Sequence, residues 1–217
     1  MRSALEYAAC GACYRYAGRR VQYGRDFNRR GIELSETYNR GAIALHWITA
    51  ALILANLLLG LSMVALPISP RKLHWYLFHK SIGITVFLLT SLRLAWRAMR
   101  PHPAPVASMA FWQRRSAAAS HALLYLLLFA IPLSGWLYSS STGVQVVYAG
   151  LVPLPDLVAR DRALADMLRL VHVSLNALLF FVICVHVAAA VKHHLIDRDA
   201  ALARMLPLVK PNAAARS

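Results

Sequence analysis

The stretch LVHVSLNALLFFVICVHVAAAVKHH, residues 170–194, decides how the rest of the chain must fold. From Leu170 to Val191 it contains no Asp, Glu, Lys or Arg, so it is long and apolar enough to cross a membrane as one helix. It nevertheless carries His172 and His186, and a polar side chain inside a membrane is costly unless something binds it. The rest of the chain must therefore supply partners for both histidines.

The whole chain has the composition of a membrane protein. Of its 217 residues, 59% are hydrophobic, and the mean hydropathy is +0.48, which excludes an ordinary soluble domain. Windows of about 20 apolar residues predict four transmembrane helices, at about 42–64, 74–96, 119–140 and 170–192. The second window is the weakest, but its Lys80 and Arg93 lie near its ends, where long side chains reach the interface. The predicted fold class is all-α, an integral membrane four-helix bundle.

The distribution of basic residues predicts the orientation of this bundle. Most of the 24 Lys and Arg residues lie in the segments 1–45, 93–115 and 192–217, which fall on one side of the four predicted spans. Because basic residues accumulate on the cytoplasmic side, we expect both termini in the cytoplasm. The same placement accounts for the formal net charge of +15 without nucleic acid, since no nucleic-acid-binding motif accompanies it.

Three parts of the chain differ in character. Residues 1–37 show no helical stripe and no apolar core of a signal peptide, so we expect a disordered N-terminal extension. Its Cys10 and Cys13 form a single C-x-x-C motif without a second pair, which indicates no metal site or disulfide framework. The transmembrane domain covers 38–207, with ordinary loops between its spans, and 208–217 form a C-terminal tail.

Four histidines lie inside the predicted spans, and their depths match in pairs. The 14 steps from His172 to His186 return to within about 40° of the same helix face and separate the two residues by about 21 Å. Because successive spans run in opposite directions, His46 lies at the cytoplasmic depth of His186, and His79 lies at the exterior depth of His172. We call His46 with His186 the inner pair, and His79 with His172 the outer pair.

Two separated histidine pairs predict two hemes b. Heme iron accepts two axial imidazoles, and the flat, apolar macrocycle fills the space between helices. Catalytic zinc gathers three or four ligands, and no His-x-x-x-His motif or nearby carboxylate accompanies these histidines in the spans. A single histidine in a membrane is more often a hydrogen-bonded helix contact, but four histidines matched in depth do not fit that interpretation. Gly83 and the run Ala188 to Ala190 leave room for a porphyrin.

The motifs of the chain resemble those of the bacterial cytochrome b561 family. The segments that carry the resemblance lie within 38–207: YNRGAIALHW, HKSIG, RLAWR, IPLSGW, the stretch 170–194 and RMLP. The resemblance implies an inner-membrane di-heme cytochrome with the four paired histidines as axial ligands. It also implies electron exchange with quinone and, for some members, oxidation of superoxide at the exterior face with reduction of ubiquinone. Residues 1–37 depart from the family pattern, which normally begins near YNR.

Three further residues are candidates for cofactor binding at the cytoplasmic end. Arg40 and Arg93 can pair with propionates of the inner heme through their planar guanidinium groups, or they can anchor the helices as cytoplasmic charges. His193 lies seven residues beyond His186, about 20° from the same stripe, where it can contact quinone. With its basic neighbours it can also form a cationic helix end. His121 lies at the same level, as a neighbour of a propionate or a quinone and outside the ligand set.

Basic residues also surround the predicted outer pair. Lys72, Lys80 and Arg169 lie at or near the exterior ends of the second and fourth spans. A cationic funnel of this kind would steer a small anion such as superoxide towards the outer heme.

These features predict a protein that passes single electrons between an exterior donor, with superoxide a candidate, and membrane ubiquinone. On this hypothesis the protein is itself an oxidoreductase. The alternative is a non-catalytic cytochrome b relay subunit between quinone and a partner dehydrogenase or hydrogenase, since bis-histidine heme leaves no open coordination position. A third hypothesis, a carrier whose histidines shuttle protons, requires no heme at all.

Overall fold

Four long helices make up most of the computed structural model, which describes residues 38–99, 109–199 and 201–206. The helices are α1 (Arg40–Ala65), α2 (Pro70–Met99), α3 (Phe111–Thr142) and α4 (Arg162–Leu195). Each is long and apolar enough to cross a membrane, and the predicted all-α membrane bundle is confirmed. The predicted extension 1–37 with Cys10 and Cys13, and the predicted tail 208–217, lie outside the described residues.

Local sequence signals explain where the helices begin and end. The side chain of Asn39 accepts a hydrogen bond from the backbone N–H of Gly41 at 2.8 Å and caps the start of α1. Asp161 does the same for α4, accepting from the N–H of Leu164 at 3.0 Å. Helix α2 begins at Pro70. Proline has no backbone N–H, and at the first position of a helix that group would have no partner within the helix. Helix α3 ends at Gly143, whose φ of 77° is the left-handed conformation that favours glycine.

The helices are longer than the spans predicted from hydropathy. Helix α4 has 34 residues, which corresponds to about 50 Å, whereas the hydrocarbon core of a membrane is about 30 Å thick. The additional turns carry charged residues such as Arg114 on α3 and Arg162 on α4. Hydropathy reports only the part of each helix that lipid surrounds, and the charged turns extend into the headgroup region.

Packing runs between successive helices, α1 with α2, α2 with α3, and α3 with α4. In the described part of the chain, α1 and α4 are not among the closely packed helix pairs, although they carry the inner pair. At mid-depth a cluster of five aliphatic side chains fills the bundle, and we call it the waist: Val86, Leu127, Leu128, Leu179 and Val182. The waist separates the cytoplasmic and exterior histidines expected from the sequence.

A short β-hairpin lies between α3 and α4, where the sequence indicated only a loop. Its antiparallel strands are β1 (Val147–Tyr148) and β2 (Val152–Pro153). The hairpin folds back onto α2, because the N–H of Ala149 donates to Ser81 Oγ at 3.1 Å and the Tyr148 hydroxyl lies 3.3 Å from Thr85 Oγ1. We call this end of the bundle the hairpin end, and the opposite end, where α1 begins and α4 ends, the terminal end.

The expected orientation predicts which end reacts with a membrane-impermeant thiol reagent. With the native cysteines replaced by serine, we expect Leu151→Cys at the hairpin tip to be labelled in intact spheroplasts, since its side chain is 82% exposed. Ile196→Cys, 72% exposed at the end of α4, should be labelled only after lysis. Labelling of Ile196→Cys in intact spheroplasts would contradict cytoplasmic termini.

Candidate functional site

The outer pair of histidines faces across the hairpin half of the bundle. The ring centres of His79 on α2 and His172 on α4 are 6.2 Å apart, and their planes differ by 82°. Two imidazoles on opposite sides of one metal ion, with metal–nitrogen bonds of about 2 Å, have ring centres about 6 Å apart. The distance between these two ring centres is therefore compatible with an axial ligand pair.

Hydrogen bonding leaves one nitrogen of His172 available as a ligand. His172 Nδ1 lies 3.1 Å from the carbonyl oxygen of Ile131 and 3.0 Å from Ser134 Oγ, both on α3. An Nδ1–H that donates to a carbonyl fixes the tautomer in which Nε2 carries a free lone pair. His79 Nδ1 is buried without a well-formed hydrogen bond, with the backbone of Asn56 beside it.

Two glycines allow neighbouring helices to approach these imidazoles. A Cβ atom added at Gly135 on α3 would lie 3.0 Å from His172 Cε1. A Cβ added at Gly60 on α1 would lie 3.2 Å from His79 Cε1. Both separations are shorter than ordinary van der Waals contact, so each imidazole packs directly against a helix backbone. The glycines therefore fix the lateral positions of the outer pair.

A cavity of about 390 Å³ surrounds the outer pair and is lined by residues from all four helices. Most of its lining is apolar, and the polar exceptions are few, among them Asn56, Tyr138, Ser139 and Asn176. In the described part of the chain, Lys80 is the one Lys, Arg, Asp or Glu that lines it. An apolar cavity with two facing imidazoles, one with an unpartnered Nδ1, suits a flat apolar macrocycle bound through its metal.

A second cluster lies at the terminal end, on the other side of the waist. His186 on α4 has its ring centre 5.4 Å from that of His121 on α3. His46 on α1 lies within electrostatic range of both, and of Arg93 on α2. His46 Nδ1 is buried without a hydrogen-bond partner. All four helices thus contribute one residue to this inner cluster, with the inner-pair histidines on the loosely packed helices α1 and α4.

The sequence predicts His121 at the depth of the inner pair, but that prediction does not include it among the heme ligands. The structure brings it into ring contact with His186, and both of these histidines lie within electrostatic range of His46. The sequence indicates only the depth of His121. The direction in which its side chain points depends on the rotation of α3 about its own axis, which hydropathy does not report.

His193 lies two turns beyond His186 towards the terminal end and is paired with acid. Its Nδ1 is 2.7 Å from Asp199 Oδ2 and 3.1 Å from Asp197 Oδ2, and the Asp199 side chain is only 5% exposed. These three residues could also hold a cation. However, Lys192 Nζ already lies 2.7 Å from Asp197, which compensates its charge.

The chain beyond α4 turns back under the inner cluster. The indole N–H of Trp47 donates to the carbonyl oxygen of Met205 at 2.9 Å, and Trp47 follows His46 on α1. The segment that includes Asp199 and Met205 therefore ties the end of α4 to the start of α1.

The remaining predicted residues have different surroundings. Arg93 lies near the three inner histidines and 5.7 Å from the ring centre of Tyr125, whereas Arg40 is exposed at the first residue of α1. Lys72 Nζ donates to the carbonyl oxygen of Leu66 at 2.7 Å, and Arg169 is exposed on α4. Neither lines the cavity, so of the predicted steering residues only Lys80 does.

A family profile described as prokaryotic cytochrome b561 matches residues 37–208. The chain belongs to this cytochrome b561 family. It is 37% identical over 175 residues to "Cytochrome b561 homolog 2" of Escherichia coli (strain K12), a match that covers 79% of this chain and 92% of the relative. It is 27% identical over 177 residues to "Cytochrome b561 homolog 1" of the same organism, covering 78% and 97%.

A third relative of this cytochrome b561 chain carries a more specific name. "Probable superoxide oxidase CybB" of Yersinia pestis is 29% identical over 177 residues, which covers 80% of this chain and 98% of the relative. Membership of the cytochrome b561 family implies a b-type heme protein that transfers electrons in a bacterial membrane. The geometry of the outer pair fits that cofactor.

The glycine contacts predict a selective effect on heme binding. We expect Gly135→Ala to displace the His172 imidazole and to weaken heme binding by about tenfold or more, as substitutions beside metal ligands commonly do. Gly60→Ala, with its slightly longer contact of 3.2 Å, should have a smaller effect. The measurement is heme retained per chain after purification. Leu133→Ala, a partly exposed position on the same helix as Gly135, is the control, and equal heme loss in it and in Gly135→Ala would contradict the interpretation.

Proposed function

We propose that this protein is a di-heme b cytochrome of the bacterial inner membrane that transfers single electrons from exterior superoxide to ubiquinone. The observation that carries the proposal is the separation of 6.2 Å between the ring centres of His79 and His172 at the hairpin end. A second histidine cluster at the opposite end supports it, as does the relative named as a probable superoxide oxidase. On this proposal both termini lie in the cytoplasm, and the hairpin end faces the exterior.

In this proposal His79 and His172 hold the outer heme, and His46 and His186 hold the inner heme. The hemes supply reversible one-electron chemistry when bound. The protein supplies orientation and a dry environment. Ile131 and Ser134 orient the His172 ring, and the aliphatic waist keeps water out of the path between the two sites.

The residues around the inner cluster account for quinone chemistry at the terminal end. Arg93 is close enough to the inner histidines to neutralise a heme propionate. Conversion of ubiquinone to ubiquinol takes two electrons and two protons, so a proton donor is needed beside the quinone. His193 suits this role, because its Nδ1 faces Asp199 and its Nε2 is left to contact a quinone carbonyl oxygen. His121 is a second candidate contact.

Single replacements of the histidines test the heme assignment. We expect His79→Ala and His172→Ala to lose the outer heme and His46→Ala and His186→Ala to lose the inner heme, so each variant retains one of two hemes. His121→Ala should retain both, because it is not an axial ligand in this proposal. A pyridine hemochrome assay against protein concentration measures the ratio. Heme-free, well-folded wild-type protein would instead support the proton-carrier hypothesis.

Purified protein in ubiquinone-containing liposomes tests the activity. We expect an enzymatic superoxide source to cause ubiquinol formation without any added redox protein. His193→Gln should slow ubiquinol formation by about tenfold or more, as expected for loss of a general acid, while reduction of the hemes by superoxide is unchanged. His194→Gln is the matched control on the adjacent residue. A requirement for a partner dehydrogenase or hydrogenase would favour the relay subunit instead.

A further inference from the structure

Lys80 places a positive charge at a mostly apolar cavity. Its side chain is partly buried, and its ammonium Nζ is 3.4 Å from the carbonyl oxygen of Val144, near the long limit of a hydrogen bond. Asp156 is near enough to attract this charge, but in the described part of the chain Lys80 forms no ion pair within 4.0 Å. An anion stabilises a partly buried cation, and in the described chain no carboxylate lies within ion-pair distance of Lys80.

The ammonium group also retains unused hydrogen-bond donors. A lysine has three N–H donors, and the contact with Val144 uses one of them. Two hydroxyl groups of the cavity near Val144 are already engaged: Ser139 Oγ donates to the Val144 carbonyl, and Thr142 Oγ1 donates to the Ser139 carbonyl at 2.7 Å. Among the described residues of this wall, Lys80 is the one cationic donor, and it can therefore accommodate a new anionic partner.

Other basic residues at the hairpin end do not compete for that partner. Lys72 donates to the carbonyl oxygen of Leu66, and Arg160 packs against Gly143. Arg71 on α2 and Arg162 and Arg169 on α4 are exposed. In the described residues none of these five lines the cavity.

We propose that Lys80 binds a carboxylate inside the outer cavity, namely a propionate of the outer heme, and thereby positions that heme between His79 and His172. This inference rests on the proposed function, because it requires heme at the outer pair. Heme brings two carboxylates into a cavity whose one fully charged lining residue, in the described chain, is Lys80. An ammonium–carboxylate contact there satisfies two charges that apolar lining would leave unpaired.

Contact between Lys80 and a propionate would affect the redox potential of the outer heme as well as its binding. A positive charge beside a heme stabilises the reduced state, which carries one more electron, so its removal lowers the midpoint potential. Since Lys80 also contacts Val144, just before β1, the same side chain links the heme to the hairpin. Lys80 is thus a positioning residue for the outer heme.

The test uses full-length holoprotein with Lys80→Met, Lys80→Arg and Arg162→Met. Arg162→Met removes one positive charge from the same end of the bundle, at an exposed position outside the cavity. Redox titration measures the midpoint potentials of both hemes, and transfer of heme to apomyoglobin measures their dissociation rates. We expect Lys80→Met to lower the outer-heme potential and to speed outer-heme loss by about tenfold or more, the range for a lost charged hydrogen bond. Lys80→Arg should restore both properties, and Arg162→Met should match wild type.

The inner heme serves as the internal control for folding, since its content and potential should be unchanged in Lys80→Met. If that variant alters only the rate of reaction with superoxide and its dependence on ionic strength, the partner of Lys80 is a diffusing anion, and the inference is overturned. The same holds if Lys80→Met and Arg162→Met shift the outer potential equally. If wild-type protein binds no heme at the outer pair, the proposed function is wrong. If it binds two hemes whose potentials and dissociation rates do not depend on Lys80, only this inference is wrong.

Discussion

An imidazole inside a membrane needs a bonding partner, and that requirement organises this bundle. The helices contribute to satisfying it: α2 and α4 bring His79 and His172 to within 6.2 Å of each other, measured between ring centres, while α3 supplies the Ile131 carbonyl that orients one of them. Glycines at 60 and 135 remove the side chains that would otherwise hold the helices away from the rings. The cavity around the outer pair follows from these constraints, because the helices must be close enough to orient the imidazoles and far enough apart to admit what the imidazoles bind.

The two ends of the bundle solve this problem differently, and the difference agrees with two kinds of redox partner. At the hairpin end, the chain folds back onto α2 through Ser81 and Thr85, and the cavity wall is mostly apolar. At the terminal end, a third histidine touches His186, and an imidazole–carboxylate pair lies beyond it. On the proposed function, electron exchange with a small exterior donor needs only access and charge, whereas quinone reduction also needs protons. More of the described histidines lie at the terminal end, where His193 also faces Asp199.

Much of this architecture could be predicted from the sequence, because it depends on the depth of each residue in the membrane, which changes regularly along a helix. The rise of about 1.5 Å per residue and the alternation of direction between spans set the depth of every histidine. These two regularities are sufficient to place His79 and His172 at one level of the membrane. The contact between His121 and His186 could not be obtained in this way, since it depends on the rotation of α3 and on which helices are neighbours. The hairpin and the Asp199 contact depend on short segments that carry no helical periodicity to interpret.

The waist separates the two histidine clusters of the bundle. Along α4, His172 and His186 are about 21 Å apart, and Leu179 and Val182 between them pack against Val86 and Leu127. A close-packed aliphatic layer excludes water and ions, so on the proposed function the protons used at the terminal end would not come through it from the hairpin end. Electrons need no such aqueous path. A bundle built in this way can join electron entry at one membrane face to proton-linked reduction at the other while the two compartments stay separated.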